Sequence, residues 1–271
     1  RSGSESWLYC ALNSLVKSDY PSVYDSRLVD LAREDNKSLY SDVIASIRES
    51  MDSEGVYIEK TPRNLLVWEA VEAIGYDELI LLTRNPFAIL SSMSTTWLNG
   101  SLAGMHIFYN DLIYGLARLD ALVSEKSGYI CQYEDLVSRP EYHRHAISKF
   151  LNLDVSTDLN NIYTASNDKL GDPLFGIKYN SISDSSIDTW KHWVVANPIR
   201  YMLVNIWRLY LRRTMKSEEL KAYLEDFPKF SLNGKYLITD TIGIFKLLIL
   251  LLFDKIVKKR YRYSHEKKIW L

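Results

Sequence analysis

The chain has 271 residues, of which 47% are hydrophobic and 25% charged, so it can bury a full core and its length fits one large domain or a domain with an extension. The formal net charge of −1 does not favour a nucleic-acid partner. Two cysteines, Cys10 and Cys131, form no disulfide or metal pattern, and the sequence contains no signal-peptide pattern. These features favour a reducing, cytoplasmic compartment.

A Gly/Ser loop leads from Arg1 through Gly3 to Trp7 and into an apolar helical pattern. The free N–H groups and the dipole at such a helix start attract a phosphate, and Gly3 permits a close backbone approach. The loop lacks the spacing of a Walker A motif, and an ordinary Ser-capped helix start fits the same residues. Because the chain opens inside this loop, we expect a first strand upstream of Arg1.

Residues 20–54 are polar and helix-leaning, and they contain three candidate general bases that also fit solvated surface charges: Asp25, Asp30 and Glu34. A strand is predicted next, over residues 56–58. It exits through Lys60 and Pro62 into a helix predicted over 63–74. A cation therefore stands beside a helix start.

The same arrangement recurs at residues 79–83, a short apolar run that predicts a buried strand. Arg84 follows, Pro86 fits the first helical position, and Ser92 lies about two turns into the predicted helix. Ligands bind beyond the carboxyl ends of strands in open α/β sheets. The Arg84 side chain and the Ser92 hydroxyl are therefore predicted to form a pocket for a phosphate-like anion, although a plain surface arginine fits as well.

Strands alternate with helices over the following residues. A long helix is predicted over 101–124, a strand over 128–133 and a helix from Pro140 to Leu151. This alternation is typical of a parallel sheet flanked by helices. His106 lies on the long helix, where an isolated histidine is more often a structural residue than a base.

In this order the motifs resemble the sulfotransferases that use 3′-phosphoadenosine 5′-phosphosulfate. The segments that carry the resemblance are the loop over 1–7, Glu59-Lys60-Thr61-Pro62, Thr83-Arg84-Asn85-Pro86 with Ser92, and Gln132-Tyr133-Glu134-Asp135-Leu136. It covers roughly residues 1–193, with support from 147–153 and 171–190. It implies an α/β fold of the three-layer, P-loop-like type over residues 1–195, with a central parallel sheet flanked by helices. Residues 196–271 would form a helical C-terminal extension.

The resemblance also implies the site. The 5′-phosphosulfate would be held by Arg1, Ser2, Gly3, Ser4 and Ser6. Arg84 and Ser92 would hold the 3′-phosphate, Trp7 and Tyr133 would flank the adenine, and Lys60 would stabilise the leaving oxygen. No metal is required, and the sequence shows no metal-ligand cluster.

Two residues depart from the family pattern. Glu5 stands where a hydroxyl residue is usual, and a carboxylate repels phosphate. Pro62 stands where the small-molecule branch has its catalytic histidine, so the base must come from elsewhere. Asp25 is the first choice by position, followed by Asp30, Glu34 and His106.

The resemblance thus implies an in-line transfer of a sulfuryl group to a carbohydrate hydroxyl in a surface polysaccharide or glycolipid. A nucleotide kinase is the alternative enzyme, but the Walker lysine it needs is missing. A catalytically inactive binding protein of the same fold is a third possibility, supported by Glu5.

The C-terminal extension contains a further pattern, an apolar run followed by basic residues. Residues 242–253 are mostly apolar, and residues 246–271 contain eight Lys/Arg against two Asp/Glu. The apolar run is too short to span a bilayer. An apolar helix that leads into a basic tail is typical of attachment at an anionic membrane surface, here through residues 240–262, although a core or dimer helix fits too.

Overall fold

The computed structural model describes residues 58, 60–102, 104–153, 184, 187–230, 236–243 and 245. These residues fall into two compact units that divide between Asp77 and Glu78. The domain boundary predicted at residue 195 stays a prediction.

In the first unit, a 3₁₀ turn over Pro62–Val67 leads into helix α1, Trp68–Ile74. The helix predicted over 63–74 is therefore confirmed, with a tighter first half than expected. Gly75 ends it with φ of +85°, a value that L side chains rarely adopt. Of the strand predicted over 56–58, only Ile58 is described, and it is exposed.

The second unit contains a parallel pair of strands, β1 over Ile80–Thr83 and β2 over Tyr129–Gln132. Parallel strands need a long crossover connection, and the helices between residues 86 and 124 supply it. The α/β class and the parallel pairing are confirmed. The apolar run predicts a strand that is buried on both faces. In the structure Leu81 is buried but Leu82 is half exposed, so β1 buries only one face.

Seven helices of the second unit have clear bounds. They are α2 Pro86–Trp97, α3 Leu116–Ser124, α4 Tyr133–Ser138, α5 Pro140–Phe150, α6 Thr189–Val194, α7 Pro198–Thr214 and α8 Glu218–Ala222. A further helical stretch, residues 237–243 with Phe245, is named here the C-terminal segment. Among the described residues, no helix is both long and apolar enough to cross a membrane.

The long helical pattern predicted over 101–124 is confirmed from Met105 to Ser124, but it begins later than predicted and is not one regular α-helix. A 3₁₀ turn over Met105–Phe108 and a π-helical turn over Asp111–Gly115 precede α3. Gly104, with φ of +92°, cannot continue a right-handed helix. Leu102 instead donates its backbone N–H to Asp240, a partner 138 residues away that local patterning cannot reveal.

Aromatic side chains form the centre of this unit. Phe87, fully buried near the start of α2, lies 5.3 Å from Trp190, 5.8 Å from Trp207 and 5.2 Å from Phe227 between ring centroids. Tilted and edge-on pairs at these separations are favourable. The cluster fixes the N-terminal end of α2, which begins two residues after Arg84.

Candidate anion site at the ends of the two strands

The strand register brings Arg84 beside Tyr133. Thr83 pairs with Gln132 at the carboxyl ends of β1 and β2, so the next residue of each strand leaves the sheet at the same edge. The Arg84 guanidinium carbon lies 4.2 Å from the centroid of the Tyr133 ring. This cation–π contact holds the guanidinium over the ring. Tyr133 begins α4 and does not extend the strand, which corrects the strand predicted to residue 133.

The Arg84 guanidinium retains unused capacity to bind. Its Nε atom is buried and has no hydrogen-bond partner in the described part of the chain, and no described carboxylate forms an ion pair with Arg84. A buried donor without a partner costs about 1–3 kcal/mol. An anion placed against the guanidinium would remove that cost, because arginine binds phosphate-like groups through two parallel hydrogen bonds.

The backbone at the start of α2 is not free to bind the same anion. The Asn85 side-chain oxygen accepts from the N–H groups of Phe87, at 2.9 Å, and Ala88, at 3.4 Å, and Pro86 has no N–H. The remaining N–H at this turn, that of Asn85, donates to Glu134 Oε1 at 3.0 Å. A ligand here would therefore be held by side chains and not by these N–H groups.

Glu134 ties three parts of the unit together. Its second oxygen, Oε2, accepts a hydrogen bond of 2.9 Å from the hydroxyl of Tyr223, which follows α8. The carboxylate thus joins the end of β1, the start of α4 and the C-terminal part of the unit. Burial and the adjacent Glu134 charge raise the pKa of Tyr223, so this hydroxyl stays a donor at neutral pH.

A second carboxylate, that of Asp135, joins α4 to α5. Asp135 accepts from Arg139 at 2.6 Å and lies 2.8 Å from Nε2 of His143, a buried residue of α5. Hydrogen bonds from Arg139 and then from His143 lower the pKa of Asp135 to about 2.

Nδ1 of His143 lies 3.2 Å from the Tyr129 hydroxyl and 3.6 Å from the Cys131 sulfur. Burial, followed by the charge of Asp135, raises the pKa of the Cys131 thiol, which disfavours the reactive thiolate.

The other predicted site residues divide into two groups. Ser92 is exposed on α2, six residues after Pro86 and thus about 9 Å along the helix axis. Lys60 is exposed in the first unit, and His106 lies in the 3₁₀ turn over Met105–Phe108. Outside the described residues lie Arg1, Ser2, Gly3, Ser4, Glu5, Ser6, Trp7, Asp25, Asp30 and Glu34. Their roles stay predictions.

Sequence reasoning assigned no role to three residues that build this site. Asn85 was detectable, because an asparagine before a proline at a helix start is a typical cap. Glu134 stands directly after a predicted strand, which is a weak signal. Tyr223 carries no local signal, since its function depends on a contact 89 residues away along the chain.

A search of the described residues for groups of three or more His, Cys, Asp or Glu side chains able to hold a metal ion finds none.

Comparison with known proteins yields remote relatives. No model of a known protein family matches the chain. Nodulation protein NoeE of Sinorhizobium fredii (strain NBRC 101917 / NGR234) is 24% identical over 223 residues, which are 69% of this chain and 53% of NoeE. The chain thus spans about half the length of that relative.

Two solved structures are also similar. The sulfotransferase domain of the Synechococcus PCC 7002 olefin synthase is 21% identical with a TM-score of 0.44, covering 68% of this chain and 67% of that domain. The sulfotransferase domain from the curacin biosynthetic pathway is 19% identical with a TM-score of 0.46, covering 80% of this chain and 79% of that domain.

Proposed function

We propose that this chain transfers a sulfuryl group from 3′-phosphoadenosine 5′-phosphosulfate to a hydroxyl of a carbohydrate in a surface polysaccharide or glycolipid. The observation that carries the proposal is Arg84, whose guanidinium stacks on Tyr133 at the sheet edge while its buried Nε has no described partner. Such a group suits the 3′-phosphate of the nucleotide. The finer fold, a three-layer P-loop-like sheet, belongs to the same proposal.

In the proposed site, Arg84 binds the 3′-phosphate as a fork and the exposed Ser92 hydroxyl adds a further donor. One face of the Tyr133 ring already carries the guanidinium, so the adenine would use another surface of that ring, with Trp7 opposite. The Arg1–Ser6 loop would hold the 5′-phosphosulfate. Each charge-assisted hydrogen bond of this kind contributes about 1.5–3 kcal/mol.

The reaction is an in-line displacement. The acceptor oxygen forms a bond to sulfur while the bond from sulfur to the bridging phosphate oxygen breaks, and adenosine 3′,5′-bisphosphate leaves. Lys60 stabilises the charge that develops on the bridging oxygen. A carboxylate, Asp25 in our first assignment, removes the acceptor proton. Positioning and charge stabilisation supply most of the acceleration, as in phosphoryl transfer, and a positioned base adds about 10²–10⁴-fold.

Thermal unfolding with nucleotides tests the Arg84 site. Adenosine 3′,5′-bisphosphate should raise the melting temperature more than adenosine 5′-monophosphate, which lacks the 3′-phosphate, and more than ATP-Mg. Arg84→Ala should remove most of this difference in melting temperature. We expect its affinity for the bisphosphate to be ten- to hundredfold weaker, where each tenfold corresponds to roughly 1.4 kcal/mol. Arg213→Ala, on the exposed part of α7, is the matched control and should keep it. Equal stabilisation by the mono- and bisphosphate would refute the proposed site.

Turnover tests the chemistry. Release of adenosine 3′,5′-bisphosphate from the sulfated nucleotide should depend on added neutral oligosaccharides or lipid-linked glycans. Lys60→Ala and Asp25→Ala should abolish release with the fold intact. Near-normal turnover in Asp25→Ala would reassign the base to Asp30, Glu34 or His106. Tight bisphosphate binding without any transfer would identify an inactive binding protein, whereas a preference for ATP-Mg would favour a kinase.

A further inference from the structure

The C-terminal segment exposes a stripe of large apolar side chains. Ile238, Ile242 and Phe245 are 76%, 49% and 64% exposed. Spacings of four and three residues place them on one side of a helix. Asp240 and Gly243, on the opposite side, are buried. The segment is therefore amphipathic. Its largest apolar side chains face water, whereas those of an ordinary surface helix face the protein core.

A buried ion pair fixes the direction in which this stripe points. Both Asp240 and Arg200 have no exposed side-chain surface, and their closest oxygen–nitrogen contact is 2.8 Å. Asp240 also accepts from the Asn197 amide at 2.7 Å and from the Leu102 N–H at 2.9 Å. Rotating the segment to bury the stripe would expel this carboxylate from its partners. The exposed apolar side is thus a stable feature of the unit.

The charge of the following sequence indicates what covers the stripe. Residues 246–271 carry eight Lys/Arg against two Asp/Glu, five of the cations being Lys255, Lys258, Lys259, Arg260 and Arg262. Cations near an anionic lipid surface each contribute about 1 kcal/mol, equivalent to about fivefold in binding. An apolar helix side next to a basic run is the pattern of a segment that lies in the headgroup region.

We propose that the stripe of Ile238, Ile242 and Phe245 inserts into the surface of an anionic lipid bilayer, with the basic run after it neutralising the headgroups. This inference does not rest on the proposed sulfuryl transfer. If both hold, the membrane concentrates the enzyme at lipid-linked acceptors.

Helix α7 offers a matched control surface. Met202, Ile206 and Leu209 are 54%, 56% and 52% exposed and form a similar apolar stripe. The cations that follow this stripe are fewer than those in residues 246–271, and one of them, Arg212, pairs with Glu225 at 3.3 Å. Only the stripe that precedes an unbalanced basic run is expected to bind lipid.

The test uses the full chain and vesicles of phosphatidylcholine with 30% phosphatidylglycerol, compared with pure phosphatidylcholine. The wild type should bind the anionic vesicles and lose most of that binding at high salt. Changing Ile238→Ser together with Phe245→Ser should weaken binding at least about tenfold, because each side chain loses its apolar surface. Met202→Ser with Ile206→Ser should stay within about twofold of wild type.

Unaltered binding of the Ile238/Phe245 variant, or equal losses in the two variants, would overturn the proposal. So would salt-independent binding to pure phosphatidylcholine. A milder pair, Ile238→Ala with Phe245→Ala, should show a smaller loss with an unchanged melting temperature, which separates lipid contact from misfolding. If the wild type ignores vesicles and elutes as a dimer that the stripe variant dissociates, the stripe is a protein interface and the proposal is wrong.

Discussion

The buried ion pair of Arg200 and Asp240 allows a stringent test of how the second unit is stabilised. Asp240 accepts five hydrogen bonds from described residues. Two come from Arg200, and the other donors are the Ser101 hydroxyl, the Leu102 N–H and the Asn197 amide. The Arg200 guanidinium also lies 4.4 Å from the centroid of a Trp193 ring. Changing Asp240→Ala removes the only negative charge that the described residues place against this guanidinium.

The expected loss is large because the arginine cannot reach water. Leaving one partner of a buried pair unmatched costs about 3–5 kcal/mol of unfolding free energy. Since 1 kcal/mol shifts the melting temperature by roughly 2–4 °C in a protein of 150–250 residues, a drop of about 6–20 °C is expected. The exposed pair of Arg212 and Glu225 is the control, and Glu225→Ala should cost less than about 1 kcal/mol.

A double-mutant cycle measured by urea unfolding separates the charge from the packing. Arg200→Met and Asp240→Leu should each cost about 3–5 kcal/mol, but the double variant should cost less than their sum, since neither charge is then left alone. The double variant should still be less stable than wild type, because the Leu102 N–H and the Asn197 amide lose their acceptor. Additive single effects, or a loss below about 1 kcal/mol in Asp240→Ala, would refute the buried pair.

Three further predictions concern the site region. Gly128→Ala should lower the free energy of unfolding, measured with urea, by about 1–3 kcal/mol, because the new Cβ would lie 2.3 Å from the backbone oxygen of Leu79. A loss below about 0.5 kcal/mol would contradict this close approach. Asp135 has its folded pKa lowered to about 2, so its stabilising contribution is complete above the unfolded pKa of about 4 and is lost as the pH falls towards 2. The urea midpoint of the wild type should fall across that window more steeply than that of Asp135→Asn, and parallel curves would argue against the pairing. Tyr223→Phe should cost about 1.5 kcal/mol and weaken adenosine 3′,5′-bisphosphate binding, measured by calorimetry, because Glu134 loses a donor while the ring is kept; unchanged stability and affinity would show that Tyr223 does not support the site.

Local chemistry predicted much of this unit from the sequence alone. Apolar runs and Pro86 placed β1 and the start of α2, and the strand–helix alternation predicted the parallel pairing. These features depend on neighbours within a few residues, whose backbone preferences and side-chain spacing are present in the chain order. For the same reason Arg84 was identifiable as the cation at a strand end.

Contacts between distant residues decided the rest. The register that sets Arg84 over Tyr133, the bridge from Glu134 to Tyr223, and the acceptance of the Leu102 N–H by Asp240 each join residues that are 49 to 138 positions apart. Sequence order carries no information on which donor meets which acceptor across such separations. The late start of the helix predicted over 101–124 has the same cause in part, because the Leu102 N–H donates to Asp240 of the C-terminal segment.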